Sequence, residues 1–243
     1  MSRKTRIVLA LLIVAGVLGY RYFLQRAGGE TATTERNETT ASTSSPATLT
    51  KLGSLAFKPC SLDSPFAAEP IEAHCTTLSV AENPAAPDGR KLALNIAWLP
   101  ASNDAEIEPD PVFFLAGGPG QAAVATYPQL DAAFKEVRKH RHVILVDQRG
   151  TGESNPLNCK STDDNINEVT PTLAGQQATT CRDTLGKRAD LRFYTTTDAV
   201  RDLDSVRKAI GAATINLVGV SYGTRVAQQY AMRHPATTRS IVL

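Results

Sequence analysis

Three short apolar runs constrain the fold of this chain more than any other feature of its sequence. They cover residues 112–115, 143–146 and 215–218, and Asn216 is their only polar member. Runs that do not alternate with polar residues are typical of strands covered on both faces, as in a parallel sheet. The three runs therefore predict a central parallel sheet.

Helical segments lie between and after these runs, at 122–139, 197–210 and 222–234. In the second of them, apolar residues recur every three or four positions, as on one face of a helix. Thr197 or Asp198 can cap its start, and Gly211 follows its end. Alternating strands and helices predict an α/β fold with a mainly parallel sheet and flanking helices.

Strands of a different kind are expected before the apolar runs. In residues 91–99 large apolar side chains occupy every second position, at Leu92, Leu94, Ile96 and Trp98, which predicts a half-buried strand. Residues 76–81 are expected to pair with it across a turn at 83–89. Residues 240–243 have the pattern of a further strand start. The polar stretch 155–191 is expected to be an irregular excursion over the sheet.

The N-terminal segment has the pattern of a targeting signal. Basic residues near the start precede an uncharged apolar run over 7–20, which is the order found in secretory signals. The run is shorter than a bilayer span requires. Residues 1–27 are therefore equally consistent with a cleaved signal peptide and with an uncleaved membrane anchor. Residues 28–50 are rich in Thr and Ser and predict a flexible linker.

Four cysteines accompany this export pattern: Cys60, Cys75, Cys159 and Cys181. Their spacing contains no C-x-x-C motif, so it does not favour a zinc or thioredoxin-like site. An even number of cysteines in an exported domain predicts two disulfides. Local pairing, Cys60 with Cys75 and Cys159 with Cys181, is the simplest of the three connectivities. Four buried free thiols are the alternative.

The strongest chemical motif is Gly219-Val220-Ser221-Tyr222-Gly223, which follows the third apolar run and opens a predicted helix. A strand, a tight turn and a helix are what the nucleophile elbow of a serine hydrolase requires. The two glycines leave space where strand and helix crowd together. Ser221 would then project above the sheet, and the Tyr222 N–H would point at an incoming oxyanion. The alternative is a structural serine in a glycine-rich turn.

A glycine-rich loop, Gly117-Gly118-Pro119-Gly120, follows the first apolar run. In serine hydrolases of this type, the loop after that strand donates a second N–H to the oxyanion. We expect Gly118 to be this donor, with Gly117 as the alternative. An ordinary Gly-Pro turn is the competing interpretation of the loop.

The segment 147–154 follows the second apolar run, and Asp147 stands at the end of that strand. The catalytic acid of this fold comes after the serine in chain order, whereas Asp147 comes before it. We therefore expect Asp147 and Arg149 to be structural residues that tie the loop to its neighbours.

Together these motifs resemble the α/β-hydrolase serine peptidases of the proline iminopeptidase and tripeptidyl aminopeptidase-like family. Segments 117–120, 147–154 and 219–227 carry the match. The resemblance implies an α/β-hydrolase fold, Ser221 as nucleophile, and Tyr222 with Gly118 as oxyanion donors. It also implies an exported enzyme that cleaves short peptides or amides from a free N-terminus without a metal or cofactor.

The sequence departs from this family in one respect. The family has a catalytic Asp and a catalytic His after the nucleophile. The residues that follow Ser221 contain no acid, and their one histidine, His234, lies at the far end of the predicted helix. Residues 51–243 are therefore expected to be the N-terminal part of an α/β-hydrolase domain. The isolated chain is expected to be inactive.

Three functions are consistent with the sequence. The leading one is an exported aminopeptidase, the second is an esterase or amidase acting on small substrates, and the third is an inert fragment or binding module. The formal net charge is only +2, which argues against nucleic acid as a partner. The expected partner is a peptide or a small amide or ester. The protein is expected in the periplasm or outside the cell, or at the membrane if the N-terminal segment stays uncleaved. The oligomeric state is not predicted.

Overall fold

The structure is a computed structural model that describes residues 49–63, 69–103, 105–159 and 170–243. The predicted targeting segment, and the predicted linker up to residue 48, lie outside these ranges. Within them, no helix combines the length and the apolar character that crossing a membrane requires.

The described ranges contain eight strands in one sheet: β1 (Thr50–Leu52), β2 (Leu55–Leu62), β3 (Ile71–Ala81), β4 (Lys91–Leu99), β5 (Val112–Leu115), β6 (Val143–Val146), β7 (Ile215–Gly219) and β8 (Thr238–Val242). Their order across the sheet is β1-β2-β3-β4-β6-β5-β7-β8. Neighbours from β1 to β4, and the pair β4–β6, are antiparallel. The pairs β5–β6, β5–β7 and β7–β8 are parallel. The predicted α/β fold is confirmed, although four antiparallel strands make the sheet mixed.

The parallel strands are apolar without interruption because both of their faces are covered. Neighbouring side chains on a strand point to opposite faces. In β5, Phe113 and Leu115 belong to the core on one face, and Val112 and Phe114 belong to the core on the other. Every residue of β5 and β6 is buried. The continuous apolar run is thus the direct signature of a central strand.

Five α-helices lie within the described ranges: α1 (Ala123–Thr126), α2 (Asp131–Phe134), α3 (Pro171–Gly186), α4 (Thr196–Ala209) and α5 (Tyr222–Arg233). The last two match the helices predicted for those segments. The predicted cap of α4 is wrong, because Thr195 caps the helix rather than Thr197 or Asp198. The Thr195 side chain accepts from the Asp198 N–H, and the Asp198 carboxylate accepts from the Thr195 N–H. Asp198 is therefore the N3 residue of a capping box in which Thr195 is the N-cap.

The single helix predicted over 122–139 is wrong, since the structure breaks the segment into α1, α2 and two 3₁₀ turns. Pro128 lies in the first of these turns, and a proline cannot donate the hydrogen bond that would continue a helix. The break lets Tyr127 and Phe134 both pack on Phe114, with ring centroids 6.0 and 5.8 Å apart. Packing on the sheet thus outweighs helical continuity.

The irregular excursion predicted over 155–191 is also partly wrong, because residues 171–186 form α3. Thr170 caps this helix by accepting from the Leu173 N–H. Leu185 is its only buried residue, so the helix has almost no apolar stripe from which it could have been predicted. Its connection to the preceding loop is covalent, through Cys159 and Cys181. The other disulfide joins Cys60 on β2 to Cys75 on β3, with Cα atoms 5.8 Å apart.

Candidate active site

The carboxyl ends of β5 and β7 form the edge at which a site is expected. The strand β6 lies on one side of β5, and β7 lies on the other. The strand order therefore changes direction at β5. In open parallel sheets, ligands bind beyond the strand ends at such a reversal. Leu115 and Gly219 are paired in the register of the two strands. The glycine-rich loop after β5 and Ser221 after β7 therefore leave the sheet side by side.

Ser221 stands in a strained turn between β7 and α5. Its φ is 53° and its ψ is −119°, a left-handed backbone conformation that residues other than glycine rarely adopt. Such strain persists only where the surrounding structure imposes it, and it clusters at functional sites. The Ser221 side chain is exposed at this edge of the sheet.

The two glycines of the motif are required by space. A Cβ atom on Gly219 would lie 2.5 Å from the Gly223 carbonyl oxygen, and one on Gly223 would lie 2.1 Å from the Leu115 carbonyl oxygen. Both distances are far below van der Waals contact, and each meets backbone that cannot move aside. The helix α5 thus packs against β5 and β7 more closely than any side chain would allow.

The residue after Ser221 fixes the start of α5 through its side chain. The Tyr222 hydroxyl and the Thr196 hydroxyl are 2.7 Å apart, which ties the first turn of α5 to the first turn of α4. The Tyr222 backbone N–H has no hydrogen-bond acceptor among the residues that the structure describes. It stands at the N-terminal end of a helix of 12 residues, where the helix dipole favours negative charge.

The loop after β5 lies directly against Ser221. A Cβ atom on Gly117 would be 3.0 Å from the Ser221 Cβ and 3.1 Å from the Val220 carbonyl oxygen. Gly118 has a φ of +104°, so a side chain there would strain the backbone. The Gly117 carbonyl accepts from the Gln121 N–H, which closes the loop. Of the two residues expected to supply the second oxyanion donor, Gly117 therefore lies beside Ser221, and Gly118 follows it in the same loop.

Asp147 leaves β6 at the same edge and is buried. Its carboxylate accepts from the Asn95 side-chain amide at 2.9 Å, from the Val124 N–H at 3.0 Å and from the Glu153 N–H at 3.2 Å. Val124 belongs to α1, which follows the glycine-rich loop. The carboxylate therefore holds that loop and its own loop in position relative to β4.

Arg149 is buried and forms a bidentate pair with Asp202 of α4, with both N–O distances 2.7 Å. Its guanidinium also donates to the carbonyl oxygens of Glu82 and Phe193. Burial alone would lower the pKa of Arg149, but the hydrogen bonds and charge of Asp202 outweigh it and hold the pKa above its usual value. Arg149 thus joins the loop after β6 to α4 and to the turn after β3.

The histidines all lie away from Ser221. They are His74, His140, His142 and His234. The rings of His74 and His142 each lie 5.1 Å from Trp98, at the amino edge of β6, and His140 precedes the same strand. His234 follows the last residue of α5, so the length of that helix, about 18 Å, separates it from Ser221. A general base must lie within about 3 Å of the proton that it accepts, and no histidine of this chain does so.

Several contacts at the site were not predicted from the sequence. Thr196, which holds Tyr222, and Asn95, which holds Asp147, lie 26 and 52 residues from their partners. Gln121, whose side-chain oxygen would be 3.0 Å from a Cβ on Gly117, follows the glycine motif directly. No local pattern marks these residues, because their roles depend on which strands are neighbours in the sheet.

Residues 110–243, more than half of the chain, match the alpha/beta hydrolase fold family. The chain is 28% identical over 214 residues to a serine protease named Hip1 from Mycobacterium tuberculosis, and the match covers 79% of this chain and 40% of that protein. It is 26% identical over 192 residues to a tripeptidyl aminopeptidase from Streptomyces lividans, and the match covers 72% of this chain and 35% of that protein. It is 29% identical over 133 residues to a proline iminopeptidase from Xylella fastidiosa, and the match covers 55% of this chain and 31% of that protein. The chain thus spans 40% or less of the length of these relatives, and the resemblance carried by its motifs is confirmed.

Proposed function

Because this chain belongs to the alpha/beta hydrolase fold family, we propose that Ser221 is the nucleophile of a serine peptidase that removes short peptides from a free N-terminus. Three relatives of the chain, named above, bear peptidase names. The proposal concerns the activity of the whole protein, because the chain spans 40% or less of the length of these relatives.

The strained turn at Ser221 is the observation that carries the proposal. A structural serine would not need a left-handed φ of 53°, nor flanking glycines that leave no room for a Cβ. These features present the hydroxyl above the sheet, at the N-terminus of α5 and against the loop after β5. That is the geometry in which a carbonyl carbon can reach the hydroxyl while its oxygen faces backbone N–H groups.

The proposed reaction is acyl transfer through the serine. The Ser221 oxygen forms a bond to the scissile carbonyl carbon, the carbonyl π electrons move to the oxygen, and the hydroxyl proton passes to a histidine base. The N–H groups of Tyr222 and of Gly118, with Gly117 as the alternative donor, hold the resulting oxyanion. The amine then leaves with that proton, and water releases the acyl group. No step in this scheme uses a metal or a cofactor.

The scheme requires a histidine and an acid, and the residues that the structure describes place neither of them near Ser221. The four histidines lie elsewhere, as described above. The Asp147 carboxylate already accepts three hydrogen bonds that hold the loops, so we assign it a structural role together with Arg149. We therefore propose that the whole protein supplies the base and the acid from other residues.

Hydrolysis of matched substrates by the whole protein tests this function. We expect cleavage of aminoacyl and tripeptidyl anilides with a free amino group, and loss of cleavage when that amino group is acetylated. Ser221→Ala should abolish the activity, whereas Ser102→Ala, at an exposed serine away from the edge, should not change it. Activity confined to simple acyl esters would reject the peptidase in favour of an esterase. If Ser221→Ala were as active as wild type, the assignment of Ser221 as the nucleophile would be rejected.

We further propose that the protein is exported, in agreement with its two disulfides, since such bonds persist in oxidising compartments. Cell fractionation with an antibody tests this: we expect the protein outside the cytoplasm. Whether it then stays at the membrane through residues 1–27 is read from the mass of the mature protein. Recovery in the cytoplasm with reduced cysteines would contradict the proposal.

A further inference from the structure

One polar side chain at the edge of the site has no part in the scheme above. Gln121 follows the glycine-rich loop, and its side-chain oxygen lies 3.0 Å from the point where a Cβ on Gly117 would stand. The Ser221 Cβ is also 3.0 Å from that same point. The Gln121 carboxamide oxygen and the Ser221 Cβ therefore lie at most about 6 Å apart.

The backbone holds Gln121 in this place. Its N–H donates to the Gly117 carbonyl oxygen, so the loop turns back on itself between the two residues. Directly after Gln121 the chain reaches α1, which the Asp147 carboxylate anchors through the Val124 N–H at 3.0 Å. The base of the side chain is therefore fixed on both sides, although its end is exposed to solvent.

The Gln121 carboxamide is not engaged within the protein. It makes no side-chain hydrogen bond to any residue in the described part of the chain. A primary amide carries two N–H donors and one acceptor. The oxygen of the carboxamide faces Gly117, and a half turn about the last bond of the exposed side chain directs its free N–H donors to the same side.

We propose that the Gln121 side-chain amide is an additional hydrogen-bond donor to the substrate carbonyl that Ser221 attacks. This inference deepens the proposed function and rests on it. Side-chain amides can serve in oxyanion holes alongside backbone N–H groups, and they contribute most when charge develops on the oxygen. On attack by Ser221, the carbonyl π electrons become a lone pair on that oxygen. The Gln121 N–H groups gain strength as donors at that moment, and their bond to the neutral carbonyl is weaker.

The contribution should therefore appear in the rate more than in substrate binding. We expect Gln121→Met, which keeps a side chain of similar length but lacks donors, to lower kcat of the whole protein about 100-fold. KM should change less than about threefold. Gln121→Glu, which replaces the donors by a carboxylate near the developing charge, should lower kcat further. Gln129→Met is the matched control, because Gln129 is also exposed and lies in the 3₁₀ turn after α1.

A second readout separates a donor from a merely structural residue. A peptide aldehyde adds reversibly to a catalytic serine and gives a tetrahedral oxyanion adduct, whereas the cleaved peptide product binds without one. Gln121→Met should weaken inhibition by the aldehyde by the same factor as kcat and leave inhibition by the product unchanged. Thermal unfolding of each variant reports whether the fold is intact.

The outcomes distinguish the two proposals. If wild type cleaves the substrates, Ser221→Ala does not, and Gln121→Met matches Gln129→Met in kcat and aldehyde inhibition, Gln121 is not a donor and the proposed function stands. If KM rises while kcat and aldehyde binding relative to product stay constant, the side chain binds the substrate and the transition state equally well, and the inference is again overturned. If wild type and Ser221→Ala are equally inactive, the proposed function itself fails.

Discussion

At the scale of single residues, the turn that presents Ser221 depends on the absence of side chains at two glycines. Gly219 and Gly223 are required because α5 starts against the backbone of β5 and β7, and a side chain at either position would overlap a carbonyl oxygen. The strained φ of Ser221 follows from the same crowding. The exposed position of Ser221 at this edge is therefore a property of backbone packing.

Alanine at one of these glycines should separate this close packing from ordinary glycine effects. We expect Gly223→Ala to lower the free energy of unfolding by about 3 kcal/mol or more, because the added Cβ meets the Leu115 carbonyl oxygen. Gly175→Ala is the matched control. Gly175 lies inside α3 with nothing within 4 Å of its Cβ position, so the change should raise the free energy of unfolding by about 0.5–1 kcal/mol. Urea unfolding measures both, and equal effects would contradict the crowding at Gly223.

At the scale of elements, prediction from the sequence worked where burial on two faces leaves a local signature. Strands β5, β6 and β7 were visible as apolar runs because both faces of each strand are covered. The helix α3 was not visible, since a disulfide and one buried leucine hold it in place of an apolar stripe. The break at Pro128 was missed because packing of Tyr127 on Phe114 decides the path of that segment. Gln121 and Asn95 were missed because their neighbours are set by strand order.

The buried pair Arg149–Asp202 joins three elements, and a mutant cycle can measure that link. Arg149→Met should cost about 3–5 kcal/mol of unfolding free energy, because it leaves the Asp202 carboxylate buried without its partner. The double variant Arg149→Met/Asp202→Leu should cost much less than the sum of the single changes. Arg182→Met, which breaks an exposed pair with Asp183, should cost less than about 1 kcal/mol. Additive costs in the cycle would show that the two side chains do not act as a pair.

Asp110 links the amino ends of the parallel strands, and its ionisation should govern part of the acid sensitivity. Burial alone would raise the pKa of Asp110, but hydrogen bonds from Arg141 and Asn216, and the charges of Arg141 and Arg239, hold it below its usual value. The unfolded chain has the ordinary pKa of about 3.9. The stabilisation is therefore fully present above that pH and is lost as the pH falls through the lower pKa of the folded state.

Removing this carboxylate should flatten the dependence of stability on pH. We expect the free energy of unfolding of Asp110→Asn to be lower than that of wild type at pH 6, and the difference to shrink as the pH falls below about 4. Asp88→Asn, at an exposed position in the turn after β3, is the control and should run parallel to wild type. Urea unfolding at a series of pH values measures the profiles. A constant difference between Asp110→Asn and wild type would contradict a titrating contribution.

At the scale of the whole molecule, the described residues bring the proposed nucleophile and its proposed oxyanion donors to one edge of the sheet. The loop after β5, the Asp147 loop after β6 and Ser221 after β7 all leave from carboxyl ends of parallel strands. The histidines instead lie at the amino edge or at the far end of α5. The proposed nucleophile and its proposed oxyanion donors are therefore positioned independently of a histidine base.

This separation predicts how the polypeptide of residues 1–243 reacts when it is produced alone. A serine without a base is a poor nucleophile, so a fluorophosphonate probe should label Ser221 slowly, at a rate close to that of an exposed serine in an unfolded peptide. The whole protein should be labelled at least about 100-fold faster, because a positioned general base contributes about that much or more. Ser221→Ala in each context gives the background, and thermal unfolding shows that the polypeptide is folded. Rapid labelling of the folded 243-residue polypeptide that disappears in Ser221→Ala would mean that a base within these residues reaches the serine, and the requirement for one from elsewhere would fall.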